Sequence, residues 1–217
     1  MESILQNREE AARLLAEKLS PYAGTHALVL AIPRGAVPMG RMIADALGGE
    51  LDVVLVRKIG APGNPEFAVG SVDEAGHVSL NAGMEAYADA GSLEQEIAAQ
   101  RDIIARRRSL YAQHAPQKDP GGRTVIIVDD GVATGATMLA AIAAVRARKP
   151  SRIIVAIGVA PEDTLETIKK QADDIVCLLT PRHFSAVGQF YRQFPQVEDE
   201  EVIKLLRRQD PSGTGED

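Results

Sequence analysis

Five short runs rich in Val, Ile and Leu, with helix-like segments between most of them, constrain this chain more than any other feature. The runs are ALVLAI at 27–32, DVVLVR at 52–57, TVIIVD at 124–129, RIIVAIGV at 152–159 and DIVCLL at 174–179. Continuous apolar runs of this kind predict strands covered on both faces, because a strand with one wet face would alternate apolar and polar residues. Between them, 36–47, 136–148 and 163–171 have helical spacing. Strand alternating with helix predicts an α/β fold, an open and mainly parallel sheet with helices on both faces. Gly48 and Gly49 end the first of these helices and Pro150 follows the second, the residue types expected at helix ends.

The stretch 60–122 breaks the rhythm, since a parallel crossover normally needs far fewer residues. It predicts an insertion with its own structure. APGNPEFAVGSV starts as a loop and ends as a strand that pairs with HVSLN across a turn at 73–76. Ser92 followed by Gln95 has the form of a capping box opening a helix to about Gln113, with Ile97, Ile104 and Tyr111 on one side. The triplet Arg106, Arg107 and Arg108 reads most simply as a solvated helix face. The expected organisation is one domain over 1–208, with a core near 21–180, a lid and helical insertion near 60–122 and a small hood near 181–208. A disordered tail is expected at 209–217, where the composition is QDPSGTGED.

With 217 residues, 45% of them hydrophobic, the chain can bury one sizeable core. A net charge of -6 gives no general attraction to nucleic acid or to anionic lipid, so neither is expected as a partner. The single cysteine, Cys177, cannot form an internal disulfide and reads as a small buried hydrophobe. The start, MESILQNREEAARLLAEKL, is amphipathic and acidic rather than a basic cleavable signal. No apolar run approaches the roughly 20 residues needed to cross a bilayer, and the cytoplasm is the expected location. The four histidines are scattered too widely for a metal cluster.

The chemistry concentrates in TVIIVDDGVATGATM, 124–138. Side chains alternate along a strand, so Asp129 and Asp130 can serve one ligand only where the strand ends. In open parallel sheets that end is where ligand crevices form. Gly131, Ala133, Gly135 and Ala136 let the backbone approach a ligand, Thr134 and Thr137 add hydroxyls, and a helix follows. Its first amides and the positive end of its dipole suit a phosphate monoester. Carboxylates would repel that phosphate at contact, so they must serve another part of the ligand, and vicinal sugar hydroxyls donate well to them. A sugar phosphate satisfies both halves. A Walker-type nucleotide site is the rival for an apolar strand ending in Asp, but no G-x-x-x-x-G-K-[ST] stands in the chain, nor does a G-x-G-x-x-G open its first helix.

VIIVDDGVATGATM resembles the phosphoribosyl pyrophosphate signature of the type I phosphoribosyltransferases, and its ATGATM half is similar to the adenine-specific version. Three further segments agree in order and spacing. IPRGAVPMG at 32–40 is similar to the family's pyrophosphate loop, VRK at 56–58 to the basic end of the next strand, and the loop 60–70 to its mobile lid, hinged at Gly60, Gly63 and Gly70. The resemblance spans about 27–179. The whole chain, including VGQFYRQFPQVEDEEV, resembles most a group of uncharacterised bacterial proteins of that family.

The resemblance implies displacement of pyrophosphate from phosphoribosyl pyrophosphate by a ring nitrogen of a small-molecule acceptor, through an oxocarbenium-like transition state. It implies a cis peptide at Arg34–Gly35, with Gly35 letting the main chain meet the diphosphate. Arg34, Arg57 and Lys58 would neutralise the leaving group; surface charge at a strand end is the lesser reading of Arg57 and Lys58. Asp129 and Asp130 would hold the ribose, and Ala133, Thr134, Gly135, Ala136 and Thr137 the 5-phosphate. Magnesium, the implied cofactor, would bridge ligand oxygens rather than occupy an all-protein cage, with Asp129 or Asp130 as its candidate protein ligand. Lids in this family are often completed across a dimer, so the resemblance allows a homodimer. Members acting on six-oxopurines usually carry Asp where Ala133 stands, so a general base, if one is used, must come from elsewhere: Glu66, Asp199 or Glu200. Phe184, Phe190, Tyr191 and Phe194 fall where the family has its hood. Phe184 and Tyr191 are candidate stacking faces for a base, and a hood plugged by its own aromatics fits equally. His183 reads as a surface group. A second reading keeps the same site for sensing, as regulatory members do, although no helix-turn-helix segment or strong basic face accompanies it.

Overall fold

A computed structural model of the chain describes residues 4–61, 64–80 and 90–207. In chain order the elements are α1 (Arg8–Lys18), β1 (Leu28–Ala31), α2 (Val37–Leu47), β2 (Glu50–Val53), β3 (Val56–Ala61), β4 (Asn64–Asp73), β5 (Val78–Leu80), α3 (Ala90–Ala112), β6 (Thr124–Asp129), α4 (Ala136–Ala147), β7 (Arg152–Val159), α5 (Glu162–Lys169), β8 (Asp174–Leu179) and α6 (Asp199–Arg207). The main sheet runs β2-β1-β6-β7-β8, and every neighbouring pair is parallel. From β1 the chain goes to one side for β2 and returns to the other for β6, so the connections diverge between β1 and β6. That divergence opens a crevice at the carboxyl ends of those two strands.

Strand alternation divides the core between the faces. Val29, Ala31, Leu51, Val53, Ile126 and Val128 pack with α1, α2 and α6. Leu28, Leu30, Val125, Ile127, Ile153 and Val155 pack with α4 and α5 on the other side. The core therefore begins before residue 21: Leu15 and Leu19, at the end of α1, are fully buried. Each such leucine contributes about 1.5–3 kcal/mol relative to an exposed one. Asn7 starts that helix, its side-chain oxygen accepting the Glu10 amide at 2.9 Å.

The apolar run 52–57, expected as one strand, is split between two sheets. Val54 N still donates to Ala31 O, at 3.1 Å. The chain then crosses into a separate antiparallel sheet, β3-β4-β5, in which Val56 faces Asp73. Both sheets want apolar residues there, so the run carries no mark of the break. The hairpin between β4 and β5 forms as expected, with Gly70 opposite Leu80. Ser92 does not cap α3, which is already helical at Ala90. The arginine triplet is not one solvated face, because successive helical residues point about 100° apart. Arg106 is exposed, whereas Arg108 is nearly buried and ties α3 to the sheet. Its Nε donates to Glu74 Oε2 at 2.7 Å, its Nη1 to Asp52 Oδ1 at 3.2 Å and its Nη2 to Val53 O at 2.9 Å. Gly63, the side chain of Glu66 and the expected tail at 209–217 lie outside the described residues. Among the described residues, no helix is long and apolar enough to cross a membrane.

Candidate active site

The loops that follow β1 and β6 meet at the divergence point. Ile32 N donates to Val128 O at 3.0 Å, holding the start of the first loop against β6. The cis peptide in that loop is Pro33–Arg34, one bond before the expected Arg34–Gly35. Neither bond precedes a proline, so no local signal distinguishes them.

Asp129 ends β6 and Asp130 lies just beyond it. Alternation turns Asp130 toward the α1 and α2 side, where Arg8 Nε donates to Asp130 Oδ2 at 2.8 Å. The two side chains are 11% and 12% exposed. Arg8 Nη1 also donates to Pro195 O at 2.6 Å, and its guanidinium lies 3.8 Å from the centre of the Phe194 ring. Gly35 approaches so closely that a Cβ there would overlap Asp130 Oδ2 and stand 3.0 Å from Arg8 Nη2. Burial, and then the charge of Asp130, push the Asp129 carboxyl well above the ordinary carboxylate range. Burial also raises Asp130, but the Arg8 guanidinium opposes that rise by charge and hydrogen bond. Asp130 is thus the better carrier of the pair's negative charge, with Asp129 the readier to hold a proton.

The turn after the acids is held by its backbone. Val132 N donates to Val159 O at 2.9 Å, and Thr164 Oγ1, on α5, donates to Ala133 O at 2.8 Å. Gly135 sits at φ 82°, the left-handed region that glycine adopts without strain, and α4 starts at Ala136 with no side-chain cap on its amides. Ala133 and Thr134 are exposed, while Ala136 and Thr137 are half-buried. Backbone amides and a helix N-terminus therefore meet at this turn, and among the described residues no side chain caps them.

A cleft of about 270 Å³ between the loop after β1, β3, α3 and the first turn of α4 is lined by Pro33, Arg57, Lys58, Arg107 and Thr137, among others. Arg57 Nε donates to Gln100 Oε1 at 2.7 Å, and Lys58 is exposed. Arg34 turns instead to the hood: its Nη1 lies 2.9 Å from Glu198 Oε2 and 3.7 Å from Asp199 Oδ2. Asp199 also accepts the Tyr111 hydroxyl at 2.6 Å, so it is engaged by a phenol and a guanidinium, whereas Glu200 is exposed.

The hood aromatics form two stacked pairs, Phe184 with Phe190 and Tyr191 with Phe194, with ring centres 5.3 and 4.9 Å apart. Tyr191 is not an open stacking face. It is 5% exposed, and its hydroxyl donates to the Asp130 carbonyl at 2.6 Å, so it braces the acid pair from below. Phe184 remains half-exposed and borders an open depression shared with Ala133, Thr134, Pro161 and Arg182. Arg8, Thr164 and Arg107 join the site without any signal in the local sequence, since each reaches it through contacts distant along the chain.

A family model described as "Phosphoribosyl transferase domain" matches residues 1–195. Two proteins of Mycobacterium tuberculosis, from strains H37Rv and CDC 1551 and each named "Putative phosphoribosyl transferase", are 37% identical to the chain over 207 residues. The match covers 94% of this chain and 47% of theirs, so the chain spans about half the length of the curated relatives it matches. The crystal structure of TT1426 from Thermus thermophilus is 45% identical with a TM-score of 0.84, over 95% of this chain and 99% of that one.

Proposed function

This chain belongs to the phosphoribosyl transferase domain family, and from that membership we propose that it moves the phosphoribosyl group of phosphoribosyl pyrophosphate to a nitrogenous base or related amine, releasing pyrophosphate. The observation that carries this reading is the meeting of three features at one divergence point: the acid pair, the Gly35 loop pressed against Asp130, and the uncapped amides before α4. Together they offer acceptors for sugar hydroxyls and donors for a phosphate on opposite sides of one turn.

In this reading Asp129 and Asp130 accept the ribose hydroxyls, and the 133–137 turn holds the 5-phosphate. Arg57 and Lys58 face the diphosphate from the cleft beside the loop after β1. Holding the sugar at both ends leaves its anomeric carbon facing the acceptor nitrogen, which supplies much of the rate by position. As that nitrogen's lone pair forms the new bond, the bond to the diphosphate oxygen breaks and its electrons leave with pyrophosphate, where the cationic cleft stabilises them. The half-exposed Phe184 ring offers one stacking face to the acceptor.

The donor set suits a magnesium ion held chiefly by ligand oxygens. Asp129 is the carboxylate left for it once Arg8 has engaged Asp130, and among the described residues no group of three His, Cys, Asp or Glu side chains gathers that could hold an ion. When bound, magnesium would add positive charge beside the diphosphate oxygens, with Asp129 as the protein carboxylate nearest to hand.

The test is pyrophosphate release from phosphoribosyl pyrophosphate across a panel of purine, pyrimidine and simple amine acceptors. Release that depends on one acceptor supports transfer. Tight binding with no release under any acceptor points instead to a sensor using the same site.

A further inference from the structure

Arg107 faces the cleft beside the loop after β1, whereas its neighbours in the arginine triplet do not. Arg106 is exposed and Arg108 is consumed by Asp52 and Glu74. The cleft reaches from Pro33, in the loop after β1, to Thr137, in the first turn of α4. Arg57, Lys58 and Arg107 line it, and none of its lining residues is acidic. Among the described residues, Arg57 hydrogen-bonds the neutral Gln100, and Arg107 pairs with Asp199 at 4.0 Å. Asp199 also accepts the Tyr111 hydroxyl and lies 3.7 Å from Arg34, so its one charge is set among two guanidinium groups.

Two guanidinium groups facing one partly enclosed space repel each other, and the repulsion strengthens as water is excluded. Burial, and then the charge of Arg107, hold Arg57 below the ordinary arginine pKa, although the Glu96 carboxylate beside Gln100 opposes the shift. An anion with several charged oxygens removes that repulsion and satisfies both planar forks, which a single carboxylate on one side could not do. We propose that Arg107, on α3 and outside the main sheet, is a further contact for the diphosphate of the bound ligand, opposite Arg57. This rests on the phosphoribosyl pyrophosphate reading for the ligand's identity, and on the cleft alone for its charge.

The test is calorimetric titration of the full chain with inorganic pyrophosphate and magnesium, comparing wild type with R107Q, R107K and R106Q, alongside thermal unfolding of each. The expected result is binding about 10–100-fold weaker in R107Q, the loss of charge-assisted hydrogen bonds to one guanidinium. R107K is expected to fall between R107Q and wild type, because it keeps the charge and loses the fork, and R106Q to match wild type. If R107Q unfolds, R107K decides by the same criterion. Equal affinity in R107K, R106Q and wild type overturns the proposal, as does failure of wild type to bind pyrophosphate. Phosphoribosyl pyrophosphate turnover by wild type is read separately. A chain that binds pyrophosphate through Arg107 but never turns over the sugar keeps this site and loses the transferase reading, and the reverse result loses only this site.

Discussion

Arg8 Nε lies 2.8 Å from Asp130 Oδ2, although 122 residues separate them in the chain. The N-terminal helix is therefore part of the candidate site rather than an appendage to it. Arg8 is held in turn by Pro195 O and the Phe194 ring, so one guanidinium joins α1, the acid pair and the hood.

Replacing Arg8 by Gln removes the positive charge that holds down the Asp130 carboxyl. That carboxyl then titrates higher, and the acidic limb of ligand binding moves to higher pH. Removing one partner of a nearly buried ion pair also costs about 3 kcal/mol of stability. Titrations across pH and a denaturant series measure both effects. An Arg8→Gln, Asp130→Asn double-mutant cycle isolates the coupling of the pair.

Gly35→Ala places a methyl group against Asp130 Oδ2 and Arg8 Nη2. The Asp130 carboxyl is held by Arg8 Nε and cannot swing away without giving up that ion pair. The expected outcome is a stability loss of about 1–3 kcal/mol, as for overpacking, and ligand binding weaker by about tenfold or more. Equilibrium unfolding and calorimetry check the two numbers independently.

Asp129 gives a pH signature. Its carboxyl is raised by burial and by Asp130, so the folded chain holds that proton more tightly than the unfolded one does. Its contribution to stability is then lost as pH rises from the ordinary carboxylate value through the raised folded value. Asp129→Asn cannot ionise and removes this loss. Its melting temperature should exceed that of wild type at neutral pH and converge with it in acid, while ligand binding falls. Thermal melts from acid to neutral pH read this directly.

Thr164→Val keeps the shape of the side chain and deletes the hydroxyl that donates to Ala133 O. The expected cost is about 1 kcal/mol of stability, since one hydrogen bond is lost and a carbonyl near the surface can find water. Affinity for a phosphorylated sugar should fall more than affinity for inorganic pyrophosphate, because Thr164 supports the turn proposed to hold the 5-phosphate and does not line the cleft. Paired titrations of the two ligands separate these effects.

What was legible in the sequence is what is local. β6 and its turn could be read because the apolar run, the two acids, Gly135 and the helix start are contiguous, and each has a short-range cause. The same holds for β7 and β8, which the structure places at 152–159 and 174–179. The strand break after Val53 was hidden because both sheets accept the same Val and Leu residues. The Arg8 to Asp130, Thr164 to Ala133 and Tyr191 to Asp130 contacts depend on tertiary packing, and no spacing rule reports them. Arg107 and Arg108 were indistinguishable from Arg106 until the rotation of α3 assigned one to the cleft and another to the sheet. Tyr191 had the composition of a stacking residue but the position of a brace.

The most direct measurement is calorimetric titration of phosphoribosyl pyrophosphate with magnesium into wild type and an Asp129→Asn, Asp130→Asn variant, each first shown to be folded. If the acid pair grips the ribose, the variant binds about 100-fold more weakly or worse, the loss of two charge-assisted hydrogen bonds. Equal affinity in the two proteins would contradict that role and leave the pair as a packing feature of the β6 turn.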